Sequence, residues 1–563
     1  MNRAREPLKL KPNLKQLIAP AAVGLILFLL FQVFPSTNSD STEMASPNII
    51  SKEQARQAAS SFAQEFLQFT AAKTDDTLVT YQSKSELYGY LAKEKRLSEY
   101  NKTYEAKYPY DVYRVRFSKP GGGDALNVDV HMQNSGIVGF SYDYARSSYD
   151  RIELNKGDVQ RQMLLVVEDG MSLAEKQALA EPWLQRAGYD LSHLELVTRE
   201  GEPQLRYVDP DSKIGDSRLE HRFTFEQGKL RSYEPSFSVP AAHSAYVNKQ
   251  TQDATLLTLA GYGLFTLILG ILAIVYSVKT RAYTSFKRGL FLSALLFVIQ
   301  MLNTYNLIPV FKSEGMSQTG ILGMMIFYAV YSLIFSALLY FSLVGGSGLW
   351  LKEDGLNPWP RAKEPGYGHY VMDSMKLGYM WAFILLGVQS IIFVVLGLTL
   401  NTWSTTDATQ SPYNMLYPWL FPLMAWLAGI SEEAVYRLFG IKMLKKIVRN
   451  TFVASLITSI IWALGHTLYP IYPVISRPIE LVIIGLLFSY IFLKYGYLAA
   501  MFSHVIFNSI LMGISLILLK DTSNLLMGAF YMVLPAMVAY AIYRFNPTKK
   551  EKPYVTTPPH EVP

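Results

Sequence analysis

Apolar runs of about 20 residues recur along this chain, at 17–34, 255–278, 289–310, 320–345, 377–400, 415–440, 451–468, 478–494, 497–519 and 524–543. Each is long enough to cross the roughly 30 Å hydrocarbon core of a bilayer as a helix. Lipid offers backbone amides no partner, so such runs pair their own N–H and C=O groups and become helices. We therefore expect a polytopic α-helical membrane protein with about ten spans. Half of the 563 residues are hydrophobic and 13% aromatic, which fits that class.

The interval between the first two runs is different in kind. Residues 36–250 are polar, charged and alternating, and predict an inserted extracytoplasmic α+β domain. Lys52–Phe69 has the pattern of an amphipathic helix, followed by strand patterns at Tyr113–Phe117, Ala125–Met132 and Ile137–Tyr144. Ser172–Ala187 opens a second unit, with strand patterns at Leu194–Thr198, His221–Phe225 and Leu230–Tyr233. A tight turn precedes the last strand of each unit, Gln133-Asn134-Ser135-Gly136 and Gln227-Gly228-Lys229, so a twofold repeat is expected, with sub-units at about 50–160 and 171–240. This helix-then-hairpin pattern resembles PepSY-like extracytoplasmic domains. An unrelated α+β domain fits the pattern equally, and no constellation in it suggests catalysis. The chain has no cysteine, so this domain must fold on packing alone, and thiolate zinc sites are excluded.

Charge sets the expected topology. The net charge of +7 sits mostly in loops beside apolar runs, which argues for membrane topology and against nucleic-acid binding. Residues 1–16 are basic, and we read 17–34 as an uncleaved anchor rather than a signal peptide. Loops after the even-numbered spans carry Lys279, Arg281, Lys287 and Arg288, then Lys352, Arg361, Lys363 and Lys376, then Lys442, Lys445, Lys446 and Arg449, then Lys494, and finally the tail from Arg544 to Lys552. The opposite loops hold little beyond Lys312, Arg477 and Lys520. The expected protein sits in the cell membrane with both termini cytoplasmic, residues 36–254 outside, spans two to five over 255–400, spans six to ten over 415–543, and a cytoplasmic tail from 544 to 563.

Within the spans, Ser431-Glu432-Glu433-Ala434-Val435-Tyr436-Arg437 puts two acids and a base into membrane-type sequence. A charge near the bilayer centre costs about 2.5–3.5 kcal/mol on insertion scales, so pairing or function has to offset it. On a helical wheel Arg437 lies about 40° from Glu433 and about 140° from Glu432. Glu433 is thus the expected ion-pair partner, in the favourable Glu-before-Arg order, and Glu432 is left without a cation as a candidate catalytic carboxylate. Of eight histidines only His466 and His504 fall in expected spans, and Asn508 lies one turn after His504 on the same face. Depth estimates place Glu432 and His504 together in the cytoplasmic half. His466, 17 residues after Arg449, reaches them only if the first turns after Arg449 lie along the interface.

Glu432-Glu433-x-x-x-Arg437, then Trp462-x-x-x-His466, then His504-x-x-x-Asn508, on successive helices, resembles the CPBP group of intramembrane proteases, which includes type II CAAX prenyl proteases and lysostaphin-resistance and bacteriocin-immunity proteins. The resemblance covers roughly residues 415–520. Trp462 departs from the usual Phe, which bears on packing more than on chemistry. The resemblance implies peptide-bond hydrolysis in the membrane: Glu432 as general base, His466, His504 and Asn508 holding water or stabilising the oxyanion, and Glu433 with Arg437 as structural support. Glu432, His466 and His504 also form a donor set that zinc accepts. We favour a metal-free glutamate mechanism and leave zinc open. The implied partners are a polypeptide substrate in or at the membrane, the lipid bilayer, and an unknown ligand or protein at the outer domain, with no nucleic acid.

Two further protease-like patterns, Gly345-Gly346-Ser347-Gly348 and Gly121-Gly122-Gly123-Asp124, are short enough to arise by chance. Neither H-E-x-x-H nor a Walker A motif occurs. The alternative to a protease is a non-proteolytic immunity, sensor or scaffold protein in which the same polar cluster packs helices. A transporter using the carboxylates as a proton relay is a third reading.

Overall fold

The computed structural model describes residues 1–4, 6–10, 13–34, 49–69, 76–118, 125–143, 171–226 and 228–546. The Gly121–Asp124 motif, Gln227 of one expected turn, and the tail beyond 546 lie outside these residues.

Helix α1 spans Leu14–Val33. The sheet-rich domain follows. Its first helix, α2 (Lys52–Leu67), starts at a capping box in which Ser51 Oγ accepts from Gln54 N at 3.2 Å and the Gln54 side chain accepts from Ser51 N at 2.8 Å. Ala55, Ala59 and Ala63 recur at i, i+4 and i+8, so α2 lays a smooth small-residue stripe on the sheet. Strands β1 (Asp76–Ser83), β2 (Asp111–Ser118), β3 (Ala125–His131) and β4 (Ile137–Asp143) form an antiparallel meander. Helix α3 (Leu173–Arg186) opens the second half with another capping box, Ser172 with Glu175. Strands β5 (Glu195–Leu196), β6 (Gln204–Ile214), β7 (Ser217–Glu226) and β8 (Lys229–Phe237) complete it.

All eight strands form one sheet in the order β1-β2-β3-β4-β8-β7-β6-β5, joined at its middle by Phe140 opposite Tyr233 and Ser141 opposite Ser232. Each half opens with a helix and contributes four strands, the first half also carries two short helices, Ser85–Lys93 and Leu97–Thr103, between β1 and β2, and the halves meet at their last strands. Two of these strands, β1 and β6, lack a strand pattern in the sequence reading. In β6 the cause is Pro210, which cannot donate to a ladder. The β6–β7 register shifts between Asp209 and Lys213, so the irregularity takes the proline out of the pairing.

Among the described residues seven further helices are long and apolar enough to cross a membrane, making eight with α1: α4 (Ala241–Lys279), α5 (Leu290–Ser313), α6 (Gln318–Asp354), α7 (Tyr367–Leu400), then α10 (Ser476–Tyr495), α11 (Tyr497–Ile517) and α12 (Thr522–Phe545). The other two expected spans are of different form. The helix α8 over residues 423–448 changes winding along its length: α-helical at Leu423–Glu432, wider i→i+5 winding at Glu433–Ile441, and α-helical again at Lys442–Val448. The helix α9 is only Thr451–Leu464, about 21 Å long, and ends before His466. The expected border near 250–255 falls inside α4, which runs unbroken out of the sheet domain's last connection.

Helices α10 and α11 are the centre of the bundle. Within their apolar windows 56% and 67% of residues are buried in the protein, against 17% in α1, α4 and α6, whose apolar surface is left for lipid. The outer helices attach through close backbone contacts. A Cβ on Gly387 of α7 would lie 2.3 Å from the Cα of Gly24 in α1, so only glycine fits there. The Gly345–Gly348 stretch sits inside α6 as a packing surface, where a Cβ on Gly346 would meet the Leu438 backbone at 3.0 Å.

The sheet domain is anchored on the loop that leads into α8. Tyr81 N donates to Asn414 Oδ1 at 2.7 Å and Asn414 Nδ2 donates to Tyr81 O at 2.8 Å, so one amide side chain pairs with β1 as another strand would. Ser85 Oγ donates to Thr406 O at 2.7 Å beside it.

Candidate active site

Glu432 ends the first α-helical stretch of α8 and Glu433 begins its wide turns, and that change of winding is a recurrent feature of functional sites. The helix is held against α11 by contacts that admit no side chain: a Cβ on Gly429 would lie 2.9 Å from Val505 N and 3.1 Å from Met501 O. Tyr497 Oη donates to Ile430 O at 2.8 Å. Both acids are thereby brought to the face of α11 that carries His504.

The two glutamates occupy different surroundings. Glu433 and Arg437 are wholly buried, with Nη1 3.2 Å from Oε1. Arg437 also donates from Nη2 to Gly485 O of α10 at 3.3 Å, and its guanidinium lies 4.5 Å from the Trp462 ring centre. These contacts offset part of the desolvation cost of a buried pair. Glu433 Oε1 also lies 2.9 Å from His504 Nδ1. It is therefore an orienting carboxylate for an imidazole as well as an ion-pair partner, a link that a wheel drawn on one helix does not contain.

Glu432 keeps 23% of its side chain exposed, so it is the acid that a small molecule can reach. Its place on the wheel left it without a cation, and its donor is a neutral one. Trp462 of α9 donates its indole N–H to Glu432 Oε2 at 2.5 Å. The departure at Trp462 thus touches the carboxylate directly, where the sequence reading gave it a packing role. Across from it, His504 Nε2 lies 3.8 Å from Glu432 Oε2. That is too long for a direct hydrogen bond and matches two groups that share a water. The His504 ring is stacked on Phe488 with centroids 4.5 Å apart, which fixes its plane. With Nδ1–H assigned towards the Glu433 carboxylate, Nε2 carries the lone pair on the Glu432 side.

His466 and Asn508 stand at the edge of this group. His466 lies past the end of α9, its Nδ1 3.0 Å from Trp462 O and its ring stacked on Tyr469 at 5.8 Å. Gly465 beside it packs against Tyr262 of α4. Asn508 is half-buried one turn beyond His504 and has no hydrogen-bond partner among the described residues. The structure thus joins Glu432, Glu433, Arg437, Trp462 and His504 by direct contacts, and leaves His466 and Asn508 without a hydrogen bond to any of their side chains.

Among the described residues no three His, Asp or Glu side chains are placed to hold a metal ion. Glu432, His466 and His504 do not form the donor set that zinc would take, and no step below runs through a metal.

Residues 414–510 match the family model described as Rce1-like, type II CAAX prenyl endopeptidase Rce1-like. The match begins at the Asn414 anchor and includes every candidate site residue from Glu432 to Asn508. It supports a CPBP assignment for this part of the chain and peptidase activity in general, and with the apolar helices it indicates a multi-pass membrane protein. Neither the curated proteins nor the solved structures give a match.

Proposed function

We propose, from the type II CAAX prenyl endopeptidase-like domain at residues 414–510, that the chain is an intramembrane endopeptidase that cuts a peptide bond of a membrane-embedded or membrane-associated polypeptide. The observation that carries this reading is the 3.8 Å gap between Glu432 Oε2 and His504 Nε2, each held from behind by another side chain. A water in that gap donates one proton towards Glu432 and another towards His504.

In the first step the water oxygen forms a bond to the scissile carbonyl carbon as Glu432 takes the proton. The carbonyl oxygen becomes an oxyanion, for which the Asn508 amide supplies N–H donors once the substrate is seated, while His466, whose Nδ1–H faces the Trp462 carbonyl, keeps Nε2 as an acceptor that holds the attacking water. In the second step the C–N bond breaks and the proton on Glu432 passes to the leaving nitrogen, which restores the carboxylate. Glu433 orients His504, Arg437 holds Glu433 in place, and Trp462 fixes the rotamer of Glu432. The outer domain, whose sequence pattern resembles PepSY-like domains, senses or presents the substrate. The distribution of Lys and Arg supports cytoplasmic termini and the sheet domain outside, and we assign the chain to the cell membrane.

The test is cleavage of a panel of membrane peptides by the purified protein in lipid, wild type beside Glu432→Ala, each with and without a chelator. Cleavage by the wild type alone supports the protease and its base, and a chelator effect would show that a metal takes part. If Glu432→Ala also cleaves, the catalytic assignment fails. Full cellular function of Glu432→Ala, with loss of abundance in Arg437→Ala, would favour the scaffold reading, which the wholly buried Glu433–Arg437 pair between α8 and α10 also fits.

A further inference from the structure

On the side of α8 away from Glu432 a cavity of about 620 Å³ opens between α5, α8, α11 and α12. Its walls are apolar: Leu295, Val298 and Leu302 along α5, with Trp426, Phe502 and Val538 facing them. Lining residues on α5 run from Phe291 to Leu302, about 16 Å at 1.5 Å per residue. That is half of a hydrocarbon core roughly 30 Å thick, the depth of one leaflet.

The ends of this groove differ. At one end Arg288 precedes α5, with its guanidinium carbon 4.0 Å from the Trp359 ring centre and Nη2 buried without a hydrogen-bond partner among the described residues. Arg361 is a neighbouring cation, and Lys287 is adjacent in the chain. The acid nearby, Glu364, already accepts from Asn357 Nδ2 at 2.9 Å and Arg361 N at 2.7 Å. A second buried donor without a partner, Trp426 Nε1, lines the wall one helical turn from Ile430. Ile430 belongs to the Arg288 end, because Tyr497 bonds to its carbonyl and packs its ring 5.8 Å from Trp359. Glu364 supplies charge but no hydrogen bond to the buried Nη2 of Arg288, which leaves that N–H for another oxyanion, and Arg suits a phosphate better than any other cation. A carbonyl acceptor deeper in the groove would satisfy Trp426.

We propose that this groove is a binding site for one anionic phospholipid, its phosphate on Arg288, an ester carbonyl at Trp426 Nε1, and one acyl chain along α5. Leu423, Trp426 and Ile430 stand at i, i+3 and i+7, and Glu432 is about 200° round the helix from Ile430, so the lipid does not enter the candidate active site. It packs instead against the backs of the two helices, α8 and α11, that carry Glu432 and His504. The site stands whether or not Glu432 is a catalytic base.

The experiment is native mass spectrometry of the full-length protein in detergent, titrated with phosphatidylglycerol or phosphatidylcholine of identical chains. The wild type is expected to retain the first phosphatidylglycerol on the order of tenfold more tightly than phosphatidylcholine, whose phosphate makes the same contact but whose choline cation is repelled by Arg288, Lys287 and Arg361. Arg288→Gln should bring the two within twofold, Arg288→Lys should keep part of the preference, and Leu295→Trp, which fills the groove and leaves the cation, should weaken both lipids. Equal retention of the two lipids by the wild type would overturn the proposal, as would an unchanged preference in Arg288→Gln. Glycerophosphate, which has no acyl chain, is expected not to compete, and its competition would reveal a simple anion site instead.

Discussion

Glu432 is reachable by a substrate and held by one neutral donor, and Trp462 is that donor. A hydrogen bond to a charged group contributes about 1.5–3 kcal/mol. Trp462→Phe keeps an aromatic ring and removes the N–H, so kcat is expected to fall roughly 10- to 100-fold. A change in KM alone would show that the indole serves packing. Glu432, His466, His504 and Asn508 could be picked out in the sequence because ionisable and amide groups stand out in apolar helices. The donor role of Trp462 could not, since an aromatic at that spacing reads as packing until its N–H is placed. Nor could the Glu433–His504 contact, which joins residues 71 positions apart.

At the scale of elements, α8 carries both glutamates, and Gly429 sets its distance from α11. The Cβ of Gly429→Ala would press on Val505 N and Met501 O, backbone atoms that cannot move aside cheaply. Gly429→Ala is therefore expected to lower both the midpoint of unfolding in mixed micelles and the cleavage rate, by widening the gap to His504. Arg437→Met would leave Glu433 charged and buried, at a cost of about 3–5 kcal/mol. The double change with Glu433→Gln should recover part of that loss in the same unfolding measurement. The i,i+4 pairing was legible from the wheel although the winding widens from Glu433 onward. The extents of α4 and α9 were less so: α4 begins in polar sequence, and the apolar run of α9 continues past its last turn.

For the whole molecule, two contacts decide how the sheet domain bears on the membrane domain. Asn414 takes the place of a strand partner for Tyr81, so Asn414→Ala should raise amide exchange in β1, and in α8 as well if the domain steers the site. The sheet also has its own pH response. Burial pushes His221 from 6.5 down to about 4, with Asp209 opposing the shift and Lys107 adding to it. The folded state then favours the neutral ring, so this contribution is complete above pH 6.5 and is lost as pH falls from 6.5 towards 4. The loss at pH 5 is about 2 kcal/mol. His131, also pushed down by burial, acts in the same direction, and Glu105, pushed up by burial, acts against it. Exchange protection in β6–β8 should drop between pH 7 and pH 5, and less in His221→Gln. Helices α2 and α3 and six of the eight strands were visible in the sequence, whereas β1, β6 and the short helices Ser85–Lys93 and Leu97–Thr103 were not. The pairing of β4 with β8 was not, because nothing local fixes a contact between strands about 90 residues apart.

The account turns on Glu432 acting on water while Glu433 only supports the site. Glu432→Gln keeps an oxygen for the Trp462 indole and removes the base, so single-turnover cleavage in lipid bilayers, measured beside thermal unfolding of the same preparation, isolates the chemistry. We predict a loss of at least about 100-fold in rate with an unchanged unfolding midpoint. Cleavage at the wild-type rate by a folded Glu432→Gln protein would contradict the account.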